Sequence, residues 1–294
     1  MNATMTQTFA ACAYVLRCLI DRDIPVNDGF FRLIDVAAPL GSAVNAASPA
    51  GVAGGWEVSL RLCDLLFRAL SAAVPDRVPA GCKAMVCHVV FGGRDPRSGE
   101  DYVFIETLGG GHGGRRGSDG PDAVQTHHQN TQNTPIEEME VFYPVRTLRY
   151  RLIADSEGPG RWRGGLGVLR EYTFPGHEVT FTVLADRRKF PPRGLFGGGD
   201  GRVARYTYIA PDGATRDLPS KITLRVPPGA VIRYETCGGG GYGDPHLRAP
   251  ERVFEDVREG KISPARAATA YAVVLEAGGH DIDSGGTAAL RAAR

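Results

Sequence analysis

Residues 106–140, ETLGGGHGGRRGSDGPDAVQTHHQNTQNTPIEEME, concentrate the groups in this chain that could do chemistry. Imidazoles at His112, His127 and His128, with carboxylates at Asp119 and Asp122 between them, could move protons or hold Zn or Mn. None of the tight ligand spacings such as HExxH is present, so a polar pocket lining is expected here rather than a complete metal centre, and no metal ligand is assigned. His127 and His128 are adjacent, so on an extended segment only one could face a given site. Gly109 to Gly111 with Gly113 and Gly114 could turn backbone N–H groups toward an anion or oxyanion, with Arg115 and Arg116 adding charge. They could equally be tight turns where two sheets close. The run is neither GxGxxG nor GxxxxGK[ST], so no nucleotide site is expected on this chain. Asn130, Asn133 and Thr134 lead into Glu137, Glu138 and Glu140; amides beside carboxylates could orient an amide or carboxylate substrate, or form a solvated turn. His127, His112 and Glu137 are therefore the candidate catalytic groups. Gly110, Gly111, Arg115, Asn130 and Asn133 are the candidate substrate-binding groups, and all of them are expected to line one cleft.

Two other features could carry chemistry. Asp186-Arg187-Arg188-Lys189, followed by FPPRGLFGGGDG, could receive a phosphate or carboxylate, or be a surface turn that meets a partner. Cys237 has no activating base nearby in sequence and reads as a packing thiol.

The elements that must position these groups are glycine-punctuated. The 294 residues include 39 glycines and 20 prolines, which implies many tight turns and few long helices. Lys+Arg 34 against Asp+Glu 33 leaves a net charge of +1, which argues against a nucleic-acid partner. No apolar run is long enough for a membrane span. Six cysteines at 12, 18, 63, 82, 87 and 237 show no dense spacing, so reduced cysteines and a cytoplasmic location are expected.

Residues 9–20 read as a helix apolar on most of its surface, needing cover from this chain or a partner. Residues 21–54 read as a long irregular stretch with one strand at 30–36. Ser59 is expected to cap a helix running to Val74, with Leu62, Leu65, Leu66, Ala69, Leu70 and Ala73 on its core face and Pro75 ending it. Strands are expected at 85–91 and 102–107, then a long one at 138–152. Five more are expected at 167–174, 178–184, 202–209, 220–226 and 230–235. Ser263-Pro264 signals a last helix. YVFIETLGGGHG (102–113) and AVIRYETCGGGGYG (230–243) share a strand, Glu-Thr and a glycine run, which suggests pseudo-duplicated β units. The fold class expected is α+β, predominantly β, with sandwich- or barrel-like sheets and a few packed helices. A helix-containing part at 1–140 would precede a β-rich part at 141–294, or the two would form one continuous domain.

The chain resembles the hydantoinase B / 5-oxoprolinase family, which is related to the acetone and acetophenone carboxylases. The resemblance rests on DRDIPVNDGFFRLIDV (21–36), the run at 106–140, YPVRTLRYRLIADSEGPGRWRGGLGVLREY (143–172), ETCGGGGYGDP (235–245) and DVREGKISPARAATAYAVVL (256–275). It implies a B-type component of an ATP-dependent cyclic-amide hydrolase that works with an A-type ATP-binding subunit. ATP and a divalent metal are implied for the complete complex. The resemblance is to the C-terminal half of such components, and the histidine and aspartate residues linked to the metal in relatives belong to the other half. That implies a separate polypeptide supplying an N-terminal B-type half, or else a truncated remnant or non-catalytic assembly subunit. A ketone carboxylase component is the remaining alternative.

Overall fold

The computed structural model describes residues 1–20 and 23–293. Helix α1 (Met5–Leu19) starts earlier than its apolar pattern suggests, because Thr4 and Gln7 form a capping box: the Thr4 hydroxyl accepts from Gln7 N–H while the Gln7 side chain accepts from Thr4 N–H. Helix α2 (Asp28–Phe31) replaces the strand expected at 30–36, and the start of the expected irregular stretch, residues 21 and 22, lies outside the described residues. Helix α3 (Gly55–Leu70) begins before Ser59, whose hydroxyl donates back to the Trp56 carbonyl instead of capping. Its buried face is Leu60, Cys63 and Phe67, while Leu65 is 58 % exposed. Ala11, Val15 and Leu19 of α1 pack on Cys63, Phe67 and Val78, so α3 supplies the cover that α1 needs.

Strands β1 (His88–Arg94) and β2 (Asp101–Thr107) form an antiparallel hairpin. The segment read as one long strand divides into helix α4 (Ile136–Phe142) and strand β3 (Arg146–Leu152). Strands β4 (Val168–Thr173), β5 (Val179–Leu184), β6 (Arg205–Ile209), β7 (Thr215–Asp217), β8 (Lys221–Val226) and β9 (Val231–Glu235) follow, then helices α5 (Pro250–Arg258), α6 (Pro264–Tyr271) and α7 (Ser284–Ala292). A four-stranded sheet has the order β2-β1-β5-β8 and a five-stranded sheet the order β3-β4-β9-β6-β7. Rings from both, such as Phe91 and Phe181 with Tyr172 and Phe174, share the largest core cluster.

This corrects the expected fold class. The protein is a mixed α+β fold whose described helices and strands are comparable in extent, and neither sheet closes, so it is not a predominantly β sandwich or barrel. Helices were underestimated because α4, α5 and α7 bury only narrow faces: Met139 for α4, Val253 and Asp256 for α5, Thr287 for α7. The pseudo-duplication also fails structurally. Its first copy uses β2, an edge strand of the smaller sheet, and its second uses β9, a central strand of the larger one.

The two glycine runs nevertheless meet. Gly111 N–H donates to Cys237 O (3.0 Å), Gly114 N–H to Gly240 O (2.9 Å), Gly239 N–H to Gly165 O (2.8 Å) and Gly240 N–H to Gly81 O (2.7 Å). A side chain at Gly111 would lie 2.1 Å from both Gly165 O and Gly239 N. Bare backbone segments thus pack against one another as a hydrogen-bonded bundle in which only glycine fits.

Candidate functional site

The segments that carry Cys82, His127 and Arg187 meet at Asp64 of α3. Asp64 interrupts the apolar face of that helix. Its Oδ1 accepts from Cys82 N–H (2.9 Å), and its Oδ2 accepts from Arg187 Nη2 (2.5 Å). His127 takes a left-handed backbone conformation (φ 57°), costly for a non-glycine residue, which turns its ring inward between Phe67 and Tyr14. There His127 Nε2 lies 3.4 Å from Asp64 Oδ1, and the side chain is fully buried. Cys82 Sγ completes a cluster in which one donor atom from each of Asp64, Cys82 and His127 lies within 4.8 Å of the others. Neither nitrogen of the His127 ring has a hydrogen-bond partner. The His112 ring lies 6.4 Å away, with Nδ1 3.0 Å from Gly113 O.

Burial pushes the Asp64 carboxyl up, but the Arg187 guanidinium, His127 and the Cys82 N–H outweigh it and hold the group below the usual carboxylate range. Burial, reinforced by the Asp64 charge, pushes the Cys82 thiol well up. Burial lowers His112, partly offset by its bond to the Gly113 carbonyl.

Asp64 also faces a cavity of about 250 Å³ lined by Arg61, Arg68, Arg187, Arg193 and Phe190. Arg187 is tied down by Lys83 O (2.9 Å), Pro191 O (3.2 Å) and Cys82 O (2.5 Å) as well as by Asp64. Arg61 is 3.8 Å from Asp186 and 3.9 Å from Asp64, and its buried Nη1 makes no hydrogen bond within the protein. Arg193 is bonded to Asp200 (2.6 Å), so Asp64, Asp186 and Asp200 offset part of the charge of the four guanidinium groups. The positive excess that is left, with the unbonded Nη1 of Arg61, suits an anionic group such as a phosphate or carboxylate. The cavity contains Arg187 of the basic run noted in the sequence.

The residues singled out between 106 and 140 are not gathered into one cleft. His112 and His127 come together. Gly110 and Gly111 are buried in the bundle, with their N–H groups spent on Val124 O (3.0 Å) and Cys237 O (3.0 Å), so they do not form an anion nest. Arg115 lines a different cavity beside Arg17, Asp76 and Arg116. Asn130 is exposed. Asn133 donates to Thr107 O (2.7 Å) and Glu106 Oε1 (3.3 Å), joining a buried network in which Glu106 pairs with Arg170 (2.8 Å) and accepts from the Tyr172 hydroxyl (2.9 Å). Glu137 is exposed in the first turn of α4, with no described bond to the histidines. Asp119 and Asp122 are spent on Arg248 (2.7 Å) and Arg163 (2.9 Å).

Sequence reasoning missed Asp64 and Cys82. The available signals were faint: a single carboxylate within the apolar LCDLLF run, and a cysteine directly after the glycine at 81. For a divalent metal, the buried, unpartnered His127 ring beside a carboxylate and a thiol is a chemically suitable donor set.

Residues 1–245 match the family described as hydantoinase B/oxoprolinase. An uncharacterised protein of Methanocaldococcus jannaschii is 39 % identical over 276 residues, covering 94 % of this chain and 48 % of that protein. The caprolactamase subunit beta of Pseudomonas jessenii is 31 % identical over 280 residues, covering 92 % of this chain and 48 % of that subunit. The crystal structure of the ATP-dependent caprolactamase from Pseudomonas jessenii superposes with a TM-score of 0.88 at 29 % identity, covering 99 % of this chain and 52 % of the solved one. The chain spans about half the length of these relatives. It belongs to the hydantoinase B/oxoprolinase family.

Proposed function

We propose that this member of the hydantoinase B/oxoprolinase family is a component of an ATP-dependent cyclic-amide hydrolase, acting on a substrate that a partner ATP-binding subunit activates. The observation that carries the reading is the arginine-lined cavity beside Asp64 in a chain that shares its fold with a caprolactamase. An unstrained lactam carbonyl is a poor electrophile. Phosphorylation of its oxygen creates an imidate-like carbon that water can attack; the ring C–N bond then breaks with the amine as leaving group, and a second water hydrolyses the resulting acyl phosphate to carboxylate and phosphate. Arg61 and Arg68, with Arg187 fixed beside them by Asp64, supply the charge that an activated, phosphate-bearing intermediate needs.

The test is reconstitution with an A-type ATP-binding protein and an N-terminal B-type half, measuring ATP hydrolysis with hydantoin, 5-oxoproline, caprolactam and acetophenone. Substrate-stimulated turnover with a cyclic amide is expected, reduced by about tenfold or more in Arg61→Met, because a guanidinium aimed at a transferred phosphate contributes several kcal/mol. Stimulation by acetophenone alone would move the protein to the carboxylase branch, and no stimulation in any combination would sink the enzyme reading. A second reading, a non-catalytic assembly subunit, is favoured by the exposed positions of Asn130 and Glu137. It requires that Arg61→Met and Asp64→Asn leave the turnover of an active assembly unchanged.

A further inference from the structure

The geometry points to a zinc site of this chain's own, in which the carboxylate of Asp64, the thiolate of Cys82 and the neutral imidazole of His127 bind one ion. Three observations carry it. The first is the His127 ring: fully buried, held in place by Phe67 and Tyr14, and without a hydrogen-bond partner on either nitrogen. A buried polar ring left in this state costs free energy unless something occupies the space beside it. The second is spacing. Two ligands each about 2.0–2.1 Å from a tetrahedral ion lie roughly 3.3 Å apart, and His127 Nε2 lies 3.4 Å from Asp64 Oδ1 with Cys82 Sγ inside the same 4.8 Å cluster. The third is the support around the donors. Arg187 holds Asp64 through Oδ2 (2.5 Å), Cys82 N–H reaches Oδ1 (2.9 Å), and Gly113 N–H is 3.4 Å from Cys82 Sγ. Outer hydrogen bonds of this kind fix ligands in metal sites.

A thiolate, an imidazole and a carboxylate suit zinc, whereas Mg²⁺ and Mn²⁺ favour oxygen donors. Binding releases the Cys82 proton. The two anionic ligands then match the 2+ charge of the ion, while Arg187 at the outer oxygen of Asp64 keeps the surroundings positive. Three protein donors leave a fourth position for water or a substrate atom, and Asp64, which also lines the arginine cavity, joins the two.

The experiment uses the chain stripped with chelator and reloaded with Zn²⁺ or, as a spectroscopic probe, Co²⁺. One equivalent of zinc per chain is expected, together with a higher melting temperature than the stripped protein, since an ion that binds only the folded state stabilises it. The Co²⁺ form should show thiolate-to-cobalt charge-transfer absorption. Cys82→Ser removes this absorption, and Cys63→Ser and Cys237→Ser retain it. His127→Gln weakens zinc binding by at least about tenfold, because loss even of outer-shell partners costs about 10–100-fold. An unvaried chain that takes up no stoichiometric zinc and whose melting is indifferent to the ion overturns the proposal; an ordered water then fills the space. Zinc bound equally by wild type, Cys82→Ser and His127→Gln also overturns it. None of these readouts depends on turnover, so the site stands or falls separately from the amide-hydrolase reading.

Discussion

Glu57 shows how a single side chain sets a measurable property. It lies in the first turn of α3 with no exposed surface; Oε1 accepts from Val86 N–H (3.0 Å), Oε2 has no hydrogen-bond partner, and His88 Nδ1 is 3.8 Å away. Burial pushes its carboxyl up to about 7, with the Val86 N–H and the Lys83 ammonium offsetting part of the effect. Below the ordinary glutamate range the group is protonated in both folded and unfolded chains, so it costs nothing. As pH rises from there toward 7 the unfolded chain gives up a proton that the folded chain keeps, so stability falls, and above the folded value the loss is complete. Glu57→Gln keeps the acceptor for Val86 and removes the titration. Urea midpoints measured at about pH 5 and about pH 8 should therefore show wild type losing of order 3 kcal/mol relative to the variant across that interval. Parallel pH profiles would show that Glu57 ionises freely in the folded protein.

Among the elements, the glycine bundle has no counterpart in helix or strand propensity. Its members are constrained by the approach of neighbouring backbones, because the space a methyl group would need is already filled. At Gly239 an added Cβ would stand 2.0 Å from His112 O and 2.4 Å from its carbonyl carbon, whereas at Gly51 nothing lies within 4 Å. Backbone cannot swing aside as a flexible side chain does, so Gly239→Ala should cost at least about 2 kcal/mol, at or above the usual range for overpacking. Gly51→Ala should stay within about 0.5 kcal/mol of wild type. Chemical denaturation of the two variants checks this, and equal stabilities would mean that the bundle is slack. The His112 carbonyl accepts from Gly165 N–H (2.8 Å), so Gly239→Ala should also disturb the segment that carries His112 toward His127.

For the molecule as a whole, buried charges join the C-terminal helices to the glycine bundle. Arg163, beside Gly164, donates to Asp256 Oδ1 on α5 (2.9 Å) and to Asp122 (2.9 Å), while Arg248 donates to Asp256 Oδ2 (2.7 Å) and Asp119 (2.7 Å). Both guanidinium groups are almost wholly buried, so neither can exchange a lost partner for water. Asp256→Ala should then cost about 3–5 kcal/mol, as expected when one member of a buried ion pair is removed. Limited proteolysis should cut first near residues 248–262, leaving the sheets intact for longer. Uniform resistance to the protease in this variant would show that the apolar contacts of Val253, Ile262 and Tyr271 hold the helices unaided. Among the described residues no helix is long and apolar enough to cross a membrane.

Much of the local structure was legible in the chain itself. Apolar alternation and turn residues marked β1, β2, β4, β5, β6, β8 and β9, and Ser263-Pro264 marked α6, because these signals depend only on neighbours in sequence. Helix α4 was misread as strand because Glu138, Met139, Glu140 and Val141 alternate polar and apolar over so few residues, and α7 escaped notice behind its paired glycines at 285 and 286. The family was legible from motifs spread along the chain, and the matching of residues 1–245 shows it. His112 and His127 could be chosen by residue type, but nothing local joined them to Asp64, Cys82 or Arg187, or set Glu137 and Asn130 apart from them. Those relations were decided when the glycine segments packed backbone to backbone, because the distance between side chains far apart in sequence depends on which stretches of main chain can touch, and periodicity carries no record of that.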